Sequence, residues 1–155
     1  MNRKKINLYI ANRIKGNAIR NYGAYLYVLE WVKAGVPYTR SRAGHMLDVN
    51  EDKLALTALL CALKRMREPD EIRIFTDCTH IIHAIQNHWY KQWEKVGWKN
   101  AKGKPVKESA LWEGIAQALE SHIITLTDEK HSYSAWMERT CRLLSKEGQG
   151  REKEA

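Results

Sequence analysis

The 155-residue sequence predicts an α/β fold: a mixed five-stranded sheet, three antiparallel strands followed by βα units, with helices on both faces. Three observations carry that prediction. The first third of the chain is a series of strand-like runs separated by Gly-containing turns. Residues 50 to 66 then hold their apolar side chains on one helical face. After that, two short β-rich runs, 70–76 and 123–127, alternate with helical spacing.

The elements justify themselves in order. Residues 4 to 11 alternate, with Ile6, Leu8 and Ile10 on one face and Asn7 and Tyr9 on the other. Gly16-Asn17 supplies a turn, and Tyr22 to Val32 is an aromatic and β-branched run. Gly35-Val-Pro37 turns the chain again before a third strand around Tyr38 to Arg42. Asn50 reads as an N-cap, with Glu51 and Asp52 complementing the dipole of the helix that follows. Leu54, Ala58, Leu59, Ala62, Leu63 and Met66 share one face of it, and it ends before Pro69. In the strand 70–76, Ile72, Ile74 and Thr76 alternate, and Asp77 sits at the carboxyl end, where chemistry collects in sheets of this kind. Helices are expected at 79–87, 89–96, 109–121 and 133–145, with a strand at 123–127. The sequence divides into one domain, 1–146, and a polar tail, 147–155, expected to be disordered.

Composition narrows the function. The chain is 44% hydrophobic and 28% charged, an ordinary globular balance, and its length suits a single domain with a proper core. Net charge is +8 and the isoelectric point is near 9.4, which suits an acidic partner without identifying one. No apolar run approaches a membrane span, and the basic start lacks the long apolar stretch of a signal peptide. Cys61, Cys78 and Cys141 are odd in number and scattered, which fits reduced thiols and a cytoplasmic location.

The densest signal lies between His88 and Trp112. Six lysines (Lys91, Lys95, Lys99, Lys102, Lys104 and Lys107) and four tryptophans (Trp89, Trp93, Trp98 and Trp112) fall there. Trp89, Trp93 and Glu94 have helical spacing, Gly97 breaks the helix, and Asn100 to Gly103 with Pro105 reads as an exposed loop. Aromatic rings that fix a backbone beneath a crown of ammonium groups make a phosphate-binding handle. The plain alternative is a solvated amphipathic helix whose tryptophans are core.

The run from Trp93 to Lys107, closed by Leu111-Trp112, closely resembles the basic protrusion of type I ribonuclease H, in a bacterial-like form. In that family the element grips an RNA–DNA hybrid. Ile74-Phe-Thr-Asp77 resembles the family's fourth strand, and Ile6 to Ile10 with Tyr22-Gly-Ala24 its first strand and second-strand entry. The resemblance covers roughly residues 4 to 145. It implies a ribonuclease-H-like fold and nucleic-acid contacts at Lys91, Trp93, Lys95, Trp98, Lys99, Asn100, Lys102, Lys104 and Lys107.

It also implies a catalytic site, which the sequence largely lacks. Family members cleave the RNA strand with two divalent ions held by four carboxylates. The first acid position falls on Ala11, within Ile10-Ala-Asn-Arg13, and the second on Ala55. The third is Asp77, kept as a catalytic and metal-ligating remnant. The fourth falls near Thr140 or Cys141. His131 matches the family's mobile-loop histidine, but without the surrounding glycines. Each missing carboxylate removes roughly 4 kcal/mol of attraction per unit of metal charge at ~4 Å and intermediate dielectric. The expectation is therefore no bound cofactor, with Mg²⁺ or Mn²⁺ needed for any activity that survives.

Three functions compete on this sequence. The first is a non-catalytic binder of RNA–DNA hybrid or duplex nucleic acid. The second is an active metal-dependent ribonuclease using Asp77 with relocated acids drawn from Glu51, Asp52, Glu129 and Glu138. The third is a protein-interaction module on the same fold. Cys78, His80 and His83 match no zinc spacing. Tyr25, Tyr27 and Trp31 either stack bases or cover the sheet. Oligomeric state stays open.

Overall fold

A computed structural model describes residues 3–16 and 20–154, with side chains described through residue 146. The turn expected at Gly16-Asn17 runs into residues 17–19, outside the described residues. The strands are β1 (Lys4–Gly16), β2 (Asn21–Lys33), β3 (Val36–Leu47), β4 (Asp70–Phe75) and β5 (Ile123–Thr127). The helices are α1 (Glu51–Leu63), α2 (Thr79–Gln86), α3 (Trp89–Lys95), α4 (Ser109–Leu119) and α5 (Ser134–Glu154). The sheet order is β3-β2-β1-β4-β5. β1–β2 and β2–β3 pair antiparallel, while β1–β4 and β4–β5 pair parallel. This is the mixed five-stranded sheet that the patterning predicts.

β1 is central, so both of its faces are covered. Ile6, Leu8 and Ile10 join Tyr27 and Leu29 of β2 beneath α1, and α4 adds Trp112 and Ile115 to the same cluster. On the other face Tyr9, Leu26, Val28 and Phe75 meet Met137 and Cys141 of α5. Burial on both sides explains why β2 reads as a nearly continuous apolar run and not as a clean alternation.

α1 starts where the sequence places it. The Asn50 side-chain oxygen accepts from the Lys53 N–H at 2.8 Å, satisfying one orphan donor of the first turn. Gly23 lets that turn sit close on β2, because a Cβ there would come within 2.6 Å of Val49 and 2.8 Å of Leu54.

Several boundaries differ from expectation. β1 and β2 continue to the Gly16–Asn21 pair, and β3 reaches Leu47, because ladder hydrogen bonds hold polar residues as readily as apolar ones. α5 carries helical backbone to Glu154, past the helix end expected at 145. Glu, Gln, Arg and Lys extend a helix well once Met137 and Cys141 have anchored its first turns. Residue 155 lies outside the described residues.

Candidate nucleic-acid interface

A cleft of about 350 Å³ opens at the carboxyl ends of β1 and β4. β1 brings Ala11, Asn12 and Arg13 to it, the first turn of α1 brings Glu51, and the chain after β4 brings Asp77. Glu129 and His131 reach it from the loop after β5, and Glu138 and Cys141 from α5. The cleft is where the family resemblance puts its chemistry.

The four acid positions are differently placed. Asp77 is exposed at the cleft. Ala11 is half-buried on β1 opposite Leu26. Ala55 is wholly buried, 0% exposed, within the core cluster under α1. Of the two residues expected for the fourth position, Thr140 bonds back to the Trp136 carbonyl, and Cys141 is the one that lines the cleft. Burial pushes the Cys141 thiol up to about 11 despite the opposing charge of Arg13, so it stays protonated at neutral pH.

Of the relocated acids, Glu51, Glu129 and Glu138 line the cleft with Asp77. Asp52 accepts from the Cys78 thiol at 3.5 Å, and Glu129 faces Arg73 at 3.7 Å. His80 packs edge-on to Trp112 and His83 edge-on to Trp89, while burial raises the Cys78 thiol to about 11. Among the described residues, no three His, Cys, Asp or Glu side chains come close enough to hold an ion.

His131 is held from behind by a network that local sequence reading misses. Glu30 on β2 accepts from the Tyr9 hydroxyl at 2.9 Å, the Asn7 amide at 3.2 Å and the Tyr133 hydroxyl at 2.6 Å. The His131 ring lies 4.2 Å from that of Tyr9. Only the pairing of Asn7 with Glu30 across β1–β2 makes the group visible. Burial pushes the Glu30 carboxyl up, but the three hydrogen bonds outweigh it and hold it below the usual range. Burial together with the Glu30 contact raises the Tyr9 hydroxyl to about 12.

A depressed carboxyl stabilises the fold above its unfolded value near 4.5, and that contribution is lost as pH falls through the folded value. Glu30→Gln is expected to cost about 1–2 kcal/mol at neutral pH. It should also flatten the acid limb of the melting-temperature profile below pH 4.5. Thermal melts across pH 3 to 7 check both.

The lysine-rich segment is built as a rigid projection. α3 leads to Trp98, whose backbone adopts a left-handed φ of 64°, a strained state for a bulky residue. Two bonds hold it there: Trp98 N–H to the Trp93 carbonyl at 2.7 Å, and Val106 N–H to the Trp98 carbonyl at 2.9 Å. Asn100 closes the loop, its side-chain oxygen accepting from the Lys102 and Lys104 N–H groups at 2.9 and 3.1 Å. Beneath, Trp93 meets the fully buried Trp112 at 5.6 Å, edge to face. Lys91, Lys95, Lys99, Lys102, Lys104 and Lys107 are all exposed.

The RNase H family profile matches residues 21–129, from the start of β2 through β5. The chain belongs to the RNase H family. A ribonuclease H of Clostridium botulinum (strain Hall) is 30% identical over 144 residues, covering 92% of this chain and 94% of the relative. One from Prosthecochloris aestuarii is 29% identical over 147 residues, covering 94% and 95%. Among solved structures, LC9-RNase H1, a type 1 RNase H with the type 2 active-site motif, superposes with a TM-score of 0.79. It is 18% identical and aligns over 96% of this chain and 75% of its own. The RNase H domain of PFV gives 0.70 at 17% identity, over 95% of each chain. The foamy viral protease–reverse transcriptase, solved with an RNA/DNA hybrid, gives 0.75 at 15% identity, over 92% of this chain and 20% of its own. These likenesses establish the RNase H fold that the sequence predicts. The profile match leaves out β1 and α5, the two elements that carry Ala11 and Cys141. Among the described residues no helix is long and apolar enough to cross a membrane.

Proposed function

We propose that this RNase H family member binds RNA–DNA hybrid or duplex nucleic acid through its Trp/Lys projection and does not cleave it. The reading is supported above all by one contrast. The projection keeps six exposed lysines on a pinned loop, while the acid positions matched by Ala11, Ala55 and Cys141 hold no carboxylate. Family members generally use Mg²⁺ or Mn²⁺, and here three of the four positions that would carry those ions, all but Asp77, are apolar or protonated. Three free thiols suit a reducing cytoplasm.

The names of the relatives favour the second reading, an active ribonuclease H. The LC9 structure adds that a type 1 enzyme can carry another active-site motif. A hybrid-cleavage assay in Mg²⁺ and in Mn²⁺ separates the two. No cleavage is expected in either metal. Asp77 is exposed, so Asp77→Asn should leave hybrid affinity within about twofold and stability within about 0.5 kcal/mol. Metal-dependent cleavage that disappears in Asp77→Asn establishes the enzyme instead.

A further inference from the structure

The projection does not account for where the charge lies. Residues 88–112 carry six Lys against two acids, but residues 1–50 carry nine Lys and Arg against two acids. The three-stranded meander thus carries the larger share of the net charge, at a density close to that of the projection. Its charge is concentrated by the layering of the fold. α1 packs across β1 and β2, and edge strand β3 lies outboard of it. The α1-side face of β3 therefore stays open.

Register decides what that face displays. Trp31 pairs with Tyr38, Leu29 with Arg40 and Tyr27 with Arg42, so Tyr38, Arg40 and Arg42 point to the α1 side together. All three are exposed. Arg65, just past α1, reaches the same ledge and donates to the Tyr27 hydroxyl at 3.1 Å. No carboxylate within 4 Å neutralises Arg40, Arg42 or Arg65 among the described residues. Glu30, the acid of β2, points through the sheet to the opposite face.

The aromatics of this face are not equivalent. Tyr27 is 1% exposed and unavailable. Tyr25 lies flat on Gly44, where any Cβ would come within 2.4 Å of its ring, and its hydroxyl contacts the Cys61 sulfur at 3.9 Å. Trp31 and Tyr38 remain. Their rings stack, 17° from parallel with centroids 6.1 Å apart, and Lys4 Nζ lies over the Trp31 ring at 5.6 Å. Tyr38 is 46% exposed.

We propose that this ledge is a second nucleic-acid site, for an unpaired strand. Arg40, Arg42 and Arg65 contact successive phosphates, and the Trp31–Tyr38 platform stacks a base. Arg40 and Arg42 stand two residues apart on a strand, roughly 6.8 Å, a step comparable to one nucleotide of an extended chain. Only an unpaired strand leaves base faces free for stacking, so the platform selects single strands over duplex. An acidic peptide shares the charge but has no use for the platform. The site stands independently of the Trp/Lys projection, which lies beyond α1 on its other flank, where α2 and α4 pack.

The test is fluorescence anisotropy with labelled oligo(dT) and oligo(U), a hybrid duplex, and polyglutamate as competitor. Arg40→Gln with Arg42→Gln should weaken oligo(dT) binding about tenfold or more. It should also flatten the salt slope by about 1.4, two phosphates at ~0.7 each. Arg40→Lys with Arg42→Lys should keep the slope. Trp31→Ala should weaken binding about fivefold or more with the slope unchanged, and Trp31→Phe should restore part of it. Lys99→Ala/Lys102→Ala/Lys104→Ala should leave single-strand affinity intact. Circular dichroism melts check that each variant is folded; if the glutamine pair fails to fold, the lysine pair and Trp31→Phe against Trp31→Ala decide. Single-strand affinity that ignores Arg40, Arg42 and Trp31 overturns the site, as does affinity that depends only on the projection. Polyglutamate competing equally, with no effect of Trp31→Ala, identifies an acidic-peptide surface and overturns it too.

Discussion

Ala11→Asp combined with Ala55→Glu is expected to make the stability of the protein depend strongly on a divalent metal. Ala55 is wholly buried, so a glutamate there forces a charge and extra volume into a packed cluster. Without metal the double variant should lose about 3–5 kcal/mol, the range seen when a buried charge lacks a partner. Asp77 adds like-charge repulsion at the cleft. Millimolar Mn²⁺ should restore much of the loss by mass action, because three converging carboxylates bind a divalent ion where one does not. Either single change should respond far less, since metal affinity depends on ligand number and is not additive. Arg13 lines the same cleft and opposes a cation, so adding Arg13→Ser should enlarge the gain. Thermal melts with and without Mn²⁺, supported by calorimetric titration, measure this. A double variant whose melting temperature ignores metal, with or without Arg13, means that Ala11 and Ala55 do not occupy the acid positions.

The second large effect concerns hybrid binding. With about four to six phosphate contacts, log K should fall against log salt with a slope of roughly −3.5 to −5. Lys99→Ala/Lys102→Ala/Lys104→Ala removes the three lysines that the Asn100-pinned loop carries from 99 to 104. The slope should flatten by about 2 to 3, and affinity at physiological salt should drop on the order of tenfold to a hundredfold. The substituted side chains are exposed, so folding stability should hardly change. An unchanged slope would sink the projection as the hybrid-binding element.

The two halves of the molecule differ in what their sequence discloses. Strand and helix identities were readable because they follow from neighbours along the chain. Ile6, Leu8 and Ile10 alternate by themselves, and the Asn50 cap with its acidic first turn announces α1. The lysine projection was readable for the same reason: its signal is dense and local, from Trp93 to Lys107. The assignment of two acid positions to Ala11 and Ala55 came from the resemblance, and the double variant tests it.

Side-chain partnership and exposure were decided only in three dimensions, because they depend on register and on which layer covers which strand. Glu30 meets Tyr133, more than a hundred residues away, through the pairing of β1 with β2 and the return of α5 over that face. Ala55 and Cys141 could be seen to be uncharged, but not to be sealed from solvent, since α1 and α5 close over them from opposite sides of the sheet. Arg40 and Arg42 were two more charges in a basic chain. They became a surface because β3 pairs with β2 at that register and lies outboard of α1, beyond the helix that hides its neighbours.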